Sequence, residues 1–356
     1  MTALCLYGVD RIVRIFYFKK ASEGQVKFTK WSENVIELKV PIKYLSGYNK
    51  DSSSVPSKIT SLVVRKISSL QSHPFDISYQ KGNDYASLFV AKSGKWTSDL
   101  FKHLESELNS ESEKGKGVDQ TNISNHLSKP SQNLSILGTG KNEESKGDHE
   151  YSNSKEDRSI RSSSTIGVEK KIPFSILISF TYDTNLKYIF ENQAVSLVAG
   201  GTGISPMISL LNYYILNYST KKIKTNSLYL AWSTKDLNFF RVLEEILIKA
   251  SSTNAAESIS IQLCYTGQES FEFYESNPSK LFSTEFNQRP DFISAKKGRI
   301  DYEAQISEVF EDETVPCYGF AAIGNQNLCE SYENAVGKMA KEKGISNKIN
   351  FYYNNR

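Results

Sequence analysis

An apolar run that enters a glycine-rich turn and leaves it as a helix constrains the fold of this chain more than any other feature. Val195–Ala199 is typical of a buried strand, and the glycines of Gly200–Gly203 let the backbone turn tightly and approach a ligand closely. Ser205 is placed to cap the helix that follows, and Pro206 suits its first turn. We therefore expect a helix N-terminus with free N–H groups, which fits a pyrophosphate. The alternative is a glycine-rich strand–helix turn that holds no ligand.

Predicted strands alternate with predicted helices after about residue 171. The strands are expected at 174–180, 195–199, 227–232, 259–265, 318–323 and 349–352, and the helices at 205–218, 237–250 and 328–343. This alternation predicts a doubly wound parallel α/β sheet, with helices on both faces and ligands at the carboxyl ends of its strands.

The part of the chain before about residue 108 is expected to form a small antiparallel β-barrel. It contains β-rich runs at 35–40, 59–64 and 86–91, which are bounded by turn residues. Several short strands with turns between them indicate a barrel or a sandwich. A helix is predicted to follow, capped at Thr97 or Ser98.

The tract from about Asn109 to Gly167 differs in composition from the rest of the chain. It consists mainly of Ser, Asn, Lys, Glu and Gly, and it cannot bury enough apolar surface to offset the entropy of ordering, so we expect disorder. The sequence Gly138–Gly140 inside it follows no strand and is not a phosphate loop. The predicted organisation is a short N-terminal stretch (1–20), a barrel domain (21–108), an insertion (109–170) and an α/β domain (171–356).

Composition excludes several classes of protein. With 43 Lys and Arg against 40 Asp and Glu, the net charge of +3 argues against a nucleic-acid-binding protein. No apolar run reaches the ~18 residues that cross a bilayer, so we expect no full transmembrane segment in this sequence. The 4 cysteines form no C-x-x-C pair and the 4 histidines are scattered, so neither a metal centre nor haem ligation is expected.

The sequence His73-Pro74-Phe75-Asp76-Ile77 lies between two predicted barrel strands. Alone, a histidine before proline is typical of a turn. Together with the AGGTGISP sequence of Ala199–Pro206, it resembles the cytosolic dehydrogenase half of the ferric-chelate reductase and NADPH oxidase family of membrane flavocytochromes. The resemblance covers nearly the whole chain apart from the predicted insertion. It implies a ferredoxin-reductase-like fold, with an FAD-binding barrel followed by an NADP-binding α/β domain.

Five other segments resemble the same family. Tyr7–Arg14 is similar to the stretch that leaves its last transmembrane helix, and Lys95–Thr97 is similar to its Gly-Trp-Thr sequence. Ala231–Asp236 resembles its second nucleotide strand, and Gly298-Arg299 resembles part of its Gly-Arg-Pro. Ile323–Asn325 stands where the family has Cys-Gly-Pro.

The resemblance implies two cofactors, FAD and NADPH. The residues implied to bind FAD are His73, Pro74, Phe75, Asp76, Ile77, Trp96 and Thr97. The residues implied to bind NADPH are Gly200, Gly201, Thr202, Gly203, Ile204, Ser205, Pro206, Lys235, Arg299, Ile323 and Gly324. Phe75 would pack near the flavin, while His73 would approach its phosphate. Lys235 and Arg299 would favour NADPH over NADH by pairing with its extra phosphate, the alternative for both being a solvated surface charge. No catalytic side chain is expected, because hydride transfer demands none.

Several positions depart from the family pattern. Asp76 stands where the family has Thr or Ser, and an ionised carboxylate there would repel an anionic flavin. Phe180–Asp183 replaces a Gly-Pro-Tyr-Gly turn, and Ile323 replaces the cysteine beside the nicotinamide. The family also ends with an aromatic residue near the flavin, for which Tyr352 or Tyr353 is the available substitute.

The resemblance implies that electrons pass from NADPH to FAD and then through haem to Fe(III) or Cu(II) chelates. The haem lies in membrane helices that this sequence lacks, so a haem-bearing membrane domain is the expected partner and the cytosolic face of a membrane the expected location. The start of the sequence is expected to reflect a truncated or split gene product. The alternatives are an NADPH oxidase that reduces dioxygen, a degenerate nucleotide-binding module without electron transfer, and a soluble flavin reductase acting on a small acceptor.

Overall fold

The computed structural model describes residues 18–48, 57–114, 167–282, 291–312 and 314–353. The stretch Tyr7–Arg14, which resembles a juxtamembrane segment, lies outside these ranges. None of the helices in the described ranges is both long enough and apolar enough to span a lipid bilayer.

The described strands are short in the N-terminal part and longer in the C-terminal part. They are β1 (Lys19–Ala21), β2 (Lys27–Lys30), β3 (Val35–Pro41), β4 (Lys58–Val63), β5 (His73–Asp76), β6 (Tyr85–Ala91), β7 (Glu169–Lys171), β8 (Ile176–Ile178), β9 (Tyr182–Asp183), β10 (Ala194–Gly200), β11 (Ser227–Thr234), β12 (Ile259–Tyr265), β13 (Ile293–Lys297), β14 (Tyr318–Ile323) and β15 (Ile349–Tyr352).

The described helices lie mostly between the longer strands. They are α1 (Lys95–Lys114), α2 (Ile204–Tyr218), α3 (Glu244–Ser251), α4 (Glu272–Ser276), α5 (Tyr302–Val309) and α6 (Gln326–Glu342). Segments of 3-10 helix occupy Ile42–Tyr44, Asn185–Glu191, Gly201–Gly203, Leu237–Leu243, Asn254–Ser258, Pro278–Leu281 and Ser346–Lys348.

Two antiparallel sheets form the N-terminal part. One has the order β1-β8-β4-β5, with β9 also paired to β4, and the other has the order β6-β3-β2-β7. In β3, Ile36, Leu38 and Val40 are buried on one face, because successive side chains alternate across a strand. The strand predicted at 174–180 is the shorter β8, and it belongs to these antiparallel sheets rather than to the alternating part.

One parallel sheet forms the C-terminal part, in the order β13-β12-β11-β10-β14-β15. Leu197 belongs to one buried apolar cluster and its neighbour Val198 to another, so both faces of β10 are covered. The chain runs outward from β10 through β11 to β13 and then returns to the other side of β10 as β14. The order therefore reverses at β10, the position at which ligands bind in open α/β sheets.

Several predicted helices differ in extent from those in the structure. The helix predicted at 237–250 is a 3-10 segment, Leu237–Leu243, continued by α3. Helix α1 begins before the predicted cap at Thr97 or Ser98 and runs on to Lys114, so the first residues of the predicted disordered tract are helical. The rest of that tract, residues 115–166, lies outside the described residues.

The outer face of the β6-β3-β2-β7 sheet packs against the α/β part. Val35 and Phe89 belong to the same buried cluster as the residues around β10 and α2. The Phe89 ring meets the Phe239 ring edge-on, with 5.4 Å between centroids. Apolar burial therefore joins the two parts of the molecule.

Candidate functional site

The turn after β10 depends on glycine because two strand ends approach each other there. A Cβ on Gly203 would lie 2.2 Å from the carbonyl oxygen of Ile323, and one on Gly200 would lie 2.8 Å from Cδ1 of Leu328. Gly201 has a φ of +53°, which favours glycine, and its Cβ position faces open space. The sequence prediction that Ile323 and Gly324 lie beside this turn is matched by these contacts, although Ile323 approaches with its main chain.

Trp232 holds the turn from below. Its indole Nε1 donates to the Gly201 carbonyl at 2.9 Å, and its fully buried ring meets Phe239 and Phe240 edge-on. Since this carbonyl is directed toward the buried indole, it does not face the open side of the turn. The sequence analysis quoted Trp232 only as part of a motif and missed this contact.

Ser205 does not cap the helix, contrary to the sequence prediction. Helix α2 begins at Ile204, its N-cap is Gly203, and no side chain accepts from its first amides. The Ser205 hydroxyl instead donates to the carbonyl of Asp76 at 2.8 Å, while Pro206 lies in the first turn as predicted. The positive end of a 15-residue helix therefore lacks a side-chain acceptor and suits an anion.

The sequence His73–Asp76 is itself a strand, β5, and not the turn that the motif alone favours. It pairs with β4, with His73 opposite Leu62. The His73 ring packs on Trp96, with 4.3 Å between centroids, and the Phe75 ring lies 6.1 Å from the same indole. Pairing in the sheet thus brings the motif to the start of α1.

Two buried polar atoms beside this stack have no hydrogen-bond partner within the described ranges. They are Nε2 of His73 and Nε1 of Trp96. Burial lowers the pKa of His73, so the imidazole of the free protein is neutral at pH 7. Buried polar atoms are normally satisfied, and these two fit a ligand with acceptor atoms such as the oxygens of a flavin nucleotide.

Thr97 organises the start of α1 from inside the helix. Helix α1 begins at Lys95, and the Thr97 hydroxyl accepts from the amides of Ser93 and Gly94 at 3.0 and 2.9 Å. It also donates to the Gly94 carbonyl at 3.0 Å. The tight loop 93–97 is therefore fixed by one side chain.

One pocket of about 210 Å³ brings the predicted FAD and NADPH residues together. Its lining residues are His73, Pro74, Phe75, Asp76, Phe89, Ala91, Ser93, Thr97, Thr202 and Ser205. Asp76 is buried at its wall, with 7 % of its surface exposed. Ile77 is fully buried and contributes its main chain to the neighbouring elements rather than its side chain to the pocket.

Three pocket residues were missed by the sequence analysis: Phe89, Ala91 and Ser93. Phe89 and Ala91 alternate with buried residues on β6, so the pattern of the strand carried a signal that they point away from the barrel core. Nothing in the local sequence of Ser93 indicated its position, because a loop residue carries no periodicity.

A second, larger cleft of about 750 Å³ lies between the barrel wall and helices α2 and α3. Glu37 is buried in its wall, accepting hydrogen bonds from Trp31 and Ser87, and burial raises the pKa of this carboxyl. Phe89 lines both cavities. The larger one contains none of the predicted cofactor residues.

The two predicted phosphate-binding cations lie at different distances from the turn. Lys235 is exposed and directly follows β11, the neighbour of β10. Arg299, also exposed, follows β13, three strands from β10, a separation of about 14 Å at ~4.8 Å per strand. The sheet therefore brings Lys235 to the glycine turn and leaves Arg299 farther away.

The two C-terminal tyrosines do not reach the smaller pocket. The Tyr352 hydroxyl accepts from Asn192, which lies before the amino end of β10, and Tyr353 is hydrogen-bonded to Glu333. Neither therefore substitutes for a terminal aromatic beside a flavin. Among the described residues, no group of His, Cys, Asp or Glu side chains is arranged to hold a metal ion.

Two known domain families match the chain. The ferric reductase NAD binding domain matches residues 192–337, and an FAD-binding domain matches residues 19–139. Among solved structures, a ferredoxin NADP⁺ reductase from Neisseria gonorrhoeae, with bound FAD and NADP, aligns over 95 % of this chain and 98 % of its own, with a TM-score of 0.51 and 9 % identity. The cytochrome b5 reductase domain of Ulva prolifera nitrate reductase aligns over 94 % of this chain and 96 % of its own, with a TM-score of 0.45 and 11 % identity.

A search of the curated proteins finds none that matches this sequence. The fold is nevertheless that of the ferredoxin reductases, as predicted, with antiparallel sheets followed by a doubly wound parallel sheet. The two matched domains are those of an oxidoreductase module that binds FAD and NAD(P).

Proposed function

Because the chain belongs to the ferric reductase and NADPH oxidase family, as its FAD- and NAD(P)-binding half, we propose that it passes electrons from NADPH to FAD and on to a haem-bearing membrane partner. The final acceptors in this proposal are Fe(III) or Cu(II) chelates, and the working location is the cytosolic face of a membrane. The smaller pocket carries the proposal, because its wall combines the β5 motif with Thr202 and Ser205 of the nucleotide turn.

The flavin side of the pocket would be held by residues of β5 and α1. The orphaned nitrogens of His73 and Trp96 are available to flavin oxygens or phosphates, and Phe75 offers an apolar surface beside them. FAD bound here would supply the redox chemistry, taking a hydride from NADPH and releasing electrons singly. The role of these side chains is to orient the cofactor and shield it from water.

The nucleotide side would be held mainly by main-chain groups. The uncapped amides of α2 and the open face of Gly201 accommodate a pyrophosphate. Lys235, next to that turn, is the side chain that we propose to pair with the 2′-phosphate and so to favour NADPH over NADH. Arg299 would contribute less because its strand lies farther from the turn.

The proposal is tested by adding FAD to the purified chain and following NADPH oxidation with ferricyanide as acceptor. We expect the flavin to stay with the protein through gel filtration and NADPH to be preferred over NADH. The variant Gly201→Ala should raise the KM for NADPH about tenfold, because its Cβ occupies the open face of the turn. Gly82→Ala is the matched control, with the same change at a positive φ of +94° outside the pocket. A folded chain that retains no flavin and oxidises no NADPH would contradict the proposal.

A degenerate binding module is the second candidate, and Asp76 is the observation that favours it. The carboxyl of this residue lies in the wall of the pocket, where negative charge opposes an anionic flavin. Under our proposal, Asp76→Ser should tighten FAD binding and raise the flavin reduction potential while turnover persists in both forms. Nucleotide binding without any flavin reduction, in both the original chain and Asp76→Ser, would favour the degenerate module.

A further inference from the structure

The main chain of residues 76–79, which continues β5, is hydrogen-bonded on two sides. On the barrel side, the Ile77 amide donates to the Lys58 carbonyl at 2.9 Å. Ser78 and Ser87 exchange two main-chain hydrogen bonds of 2.8 Å each. These bonds fix the segment to the antiparallel sheets, and they leave the groups on its other side directed at helix α2.

Two serines of α2 meet those remaining groups. The Ser205 hydroxyl donates to the Asp76 carbonyl at 2.8 Å, and the Ser209 hydroxyl donates to the Ile77 carbonyl at 3.1 Å. The Tyr79 amide in turn donates to the Ser209 hydroxyl at 2.8 Å. Both serines are buried, with 2 % and 3 % of their surface exposed, and they lie four residues apart on one face of the helix.

The Ser209 hydroxyl satisfies one buried donor and one buried acceptor of a segment that belongs to the other part of the molecule. An alanine at position 209 would leave the Tyr79 amide and the Ile77 carbonyl without these partners, which buried main-chain groups rarely tolerate. Ser209 does not line the smaller pocket. Its contacts therefore serve the placement of the segment rather than the binding of a ligand.

Helix α2 starts directly at the glycine turn, and residues 76–79 directly continue the β5 motif. Because a helix is stiff, hydroxyls that bind it to this segment fix the spacing between the two sides of the pocket. We infer that Ser209, together with Ser205, forms a clamp between α2 and the end of β5, and that Ser209 is a positioning residue for hydride transfer between the two cofactors. The clamp stands on the contacts alone, whereas its effect on the rate rests on the proposed function.

The clamp is tested first by hydrogen–deuterium exchange on Ser209→Ala. The Tyr79 amide should exchange about tenfold faster or more, while the Ile77 amide, bonded to Lys58, serves as an internal reference and stays protected. Ser196→Ala is the matched control, since Ser196 is also fully buried and accepts two hydrogen bonds, from Gln305 and Tyr332, within the α/β part. Unchanged exchange of Tyr79 in Ser209→Ala, or equal acceleration in Ser196→Ala, would overturn the clamp.

The effect on the reaction is tested by kinetics of the FAD-loaded chain. Ser209→Ala should lower kcat about tenfold and change the KM for NADPH by less than about threefold, because misplaced reactants lose rate more than affinity. Ser196→Ala should keep the original kcat. A Ser209→Ala enzyme with lost Tyr79 protection and unchanged kcat would overturn the positioning role.

The two proposals fail in different ways. If the chain binds neither cofactor but Ser209→Ala still accelerates exchange at Tyr79, the proposed function fails and the clamp stands. Should Ser209→Ala not fold, Ser209→Cys keeps nearly the same volume with a weaker hydrogen-bonding group. It should give an intermediate loss of Tyr79 protection, and full protection would count against the clamp.

Discussion

The glycine turn and the β5 strand line the same pocket, yet they are built from different parts of the chain. The turn is made of main chain, with Gly203 against the Ile323 carbonyl and the Gly201 carbonyl on Trp232. The β5 side is made of side chains, since the His73 ring stacks on an indole from α1. A main-chain site tolerates few substitutions at a few positions, whereas a side-chain site can lose parts of its binding without losing its shape.

The largest expected effect comes from breaking the main-chain half with Gly203→Ala. The added Cβ would lie 2.2 Å from the Ile323 carbonyl oxygen and 2.7 Å from its carbon, so β10 and β14 must separate. We expect the free energy of unfolding in urea to fall by about 3 kcal/mol and NADP⁺ binding to be lost.

The matched control for this change is Gly337→Ala. Gly337 lies inside α6 with nothing within 4 Å of its Cβ position, so alanine there should stabilise the chain by about 0.5–1 kcal/mol. Equal stability of the Gly203→Ala and Gly337→Ala variants would show that the turn does not depend on the close approach of Gly203.

The difference between the two halves also explains what the sequence could reveal. Strand, turn and helix are consecutive in Val195–Pro206, so local pattern was enough to predict β10, the turn and α2. The hydrogen bond from Ser205 to Asp76 could not be predicted, because it joins residues that only the tertiary fold brings together. For the same reason Ser205 was assigned as a cap, which is the most common local use of a serine at a helix start.

The side-chain half was predictable only in part. The motif at His73 and the indole of Trp96 were identified through a family resemblance, while their stacking required the pairing of β4 with β5. Strand β13, with the sequence ISAKK, has too few apolar residues to be recognised as part of a buried sheet. Its position nevertheless decides how far Arg299 lies from the turn.

A smaller effect is expected from Trp96→Phe, which probes the side-chain half. The Trp96 indole N–H has no partner among the described residues, so its removal should change the free energy of unfolding by less than about 1 kcal/mol. If that N–H serves the cofactor, FAD affinity measured by fluorescence titration should fall about tenfold.

Trp31→Phe reverses this pattern and is the matched control. The Trp31 indole donates to the buried Glu37 carboxylate at 3.1 Å, so its loss should destabilise the fold by about 1–2 kcal/mol and leave FAD affinity unchanged. Equal FAD affinities for Trp96→Phe and the original chain would remove Trp96 from the flavin site.

His73 should make FAD binding depend on pH. Burial lowers the pKa of the free imidazole below its usual value of about 6.5, so without cofactor the contribution of His73 to stability is complete above that pH and declines as pH falls below it. An adjacent phosphate would raise the pKa again, so binding would take up a proton. FAD affinity should then rise about threefold between pH 8 and pH 6.

The variant His73→Gln should remove this pH dependence, and His103→Gln, in helix α1, is the matched control that should retain it. Isothermal titration calorimetry in two buffers of different ionisation enthalpy measures the proton uptake directly. Absence of proton uptake in the original chain would show that His73 does not face a phosphate.

The smallest expected effect concerns support of β5 from the strand beside it. Asp183 accepts ion pairs from Lys58 on β4 at 2.9 Å and from Lys187 at 3.1 Å, and these cations lower the pKa of its carboxyl. The stabilisation is present above the unfolded pKa of about 3.9 and is lost as pH falls through the lowered folded pKa. Because 39 % of the Asp183 side chain is exposed, solvent screening limits the contribution to about 0.5 kcal/mol.

Asp183→Asn should therefore lower the free energy of urea unfolding by about 0.5 kcal/mol at pH 7, and this difference should disappear near pH 3 or in about 1 M salt. FAD affinity should not change, because Lys58 pairs with the end of β4 that lies opposite Asp76 rather than with the His73 end. A loss of FAD affinity in this variant would mean that the side-chain half needs its flanking charges as well as its stacked rings. The contrast with the glycine turn, which contains no ionisable side chain, would then be sharper.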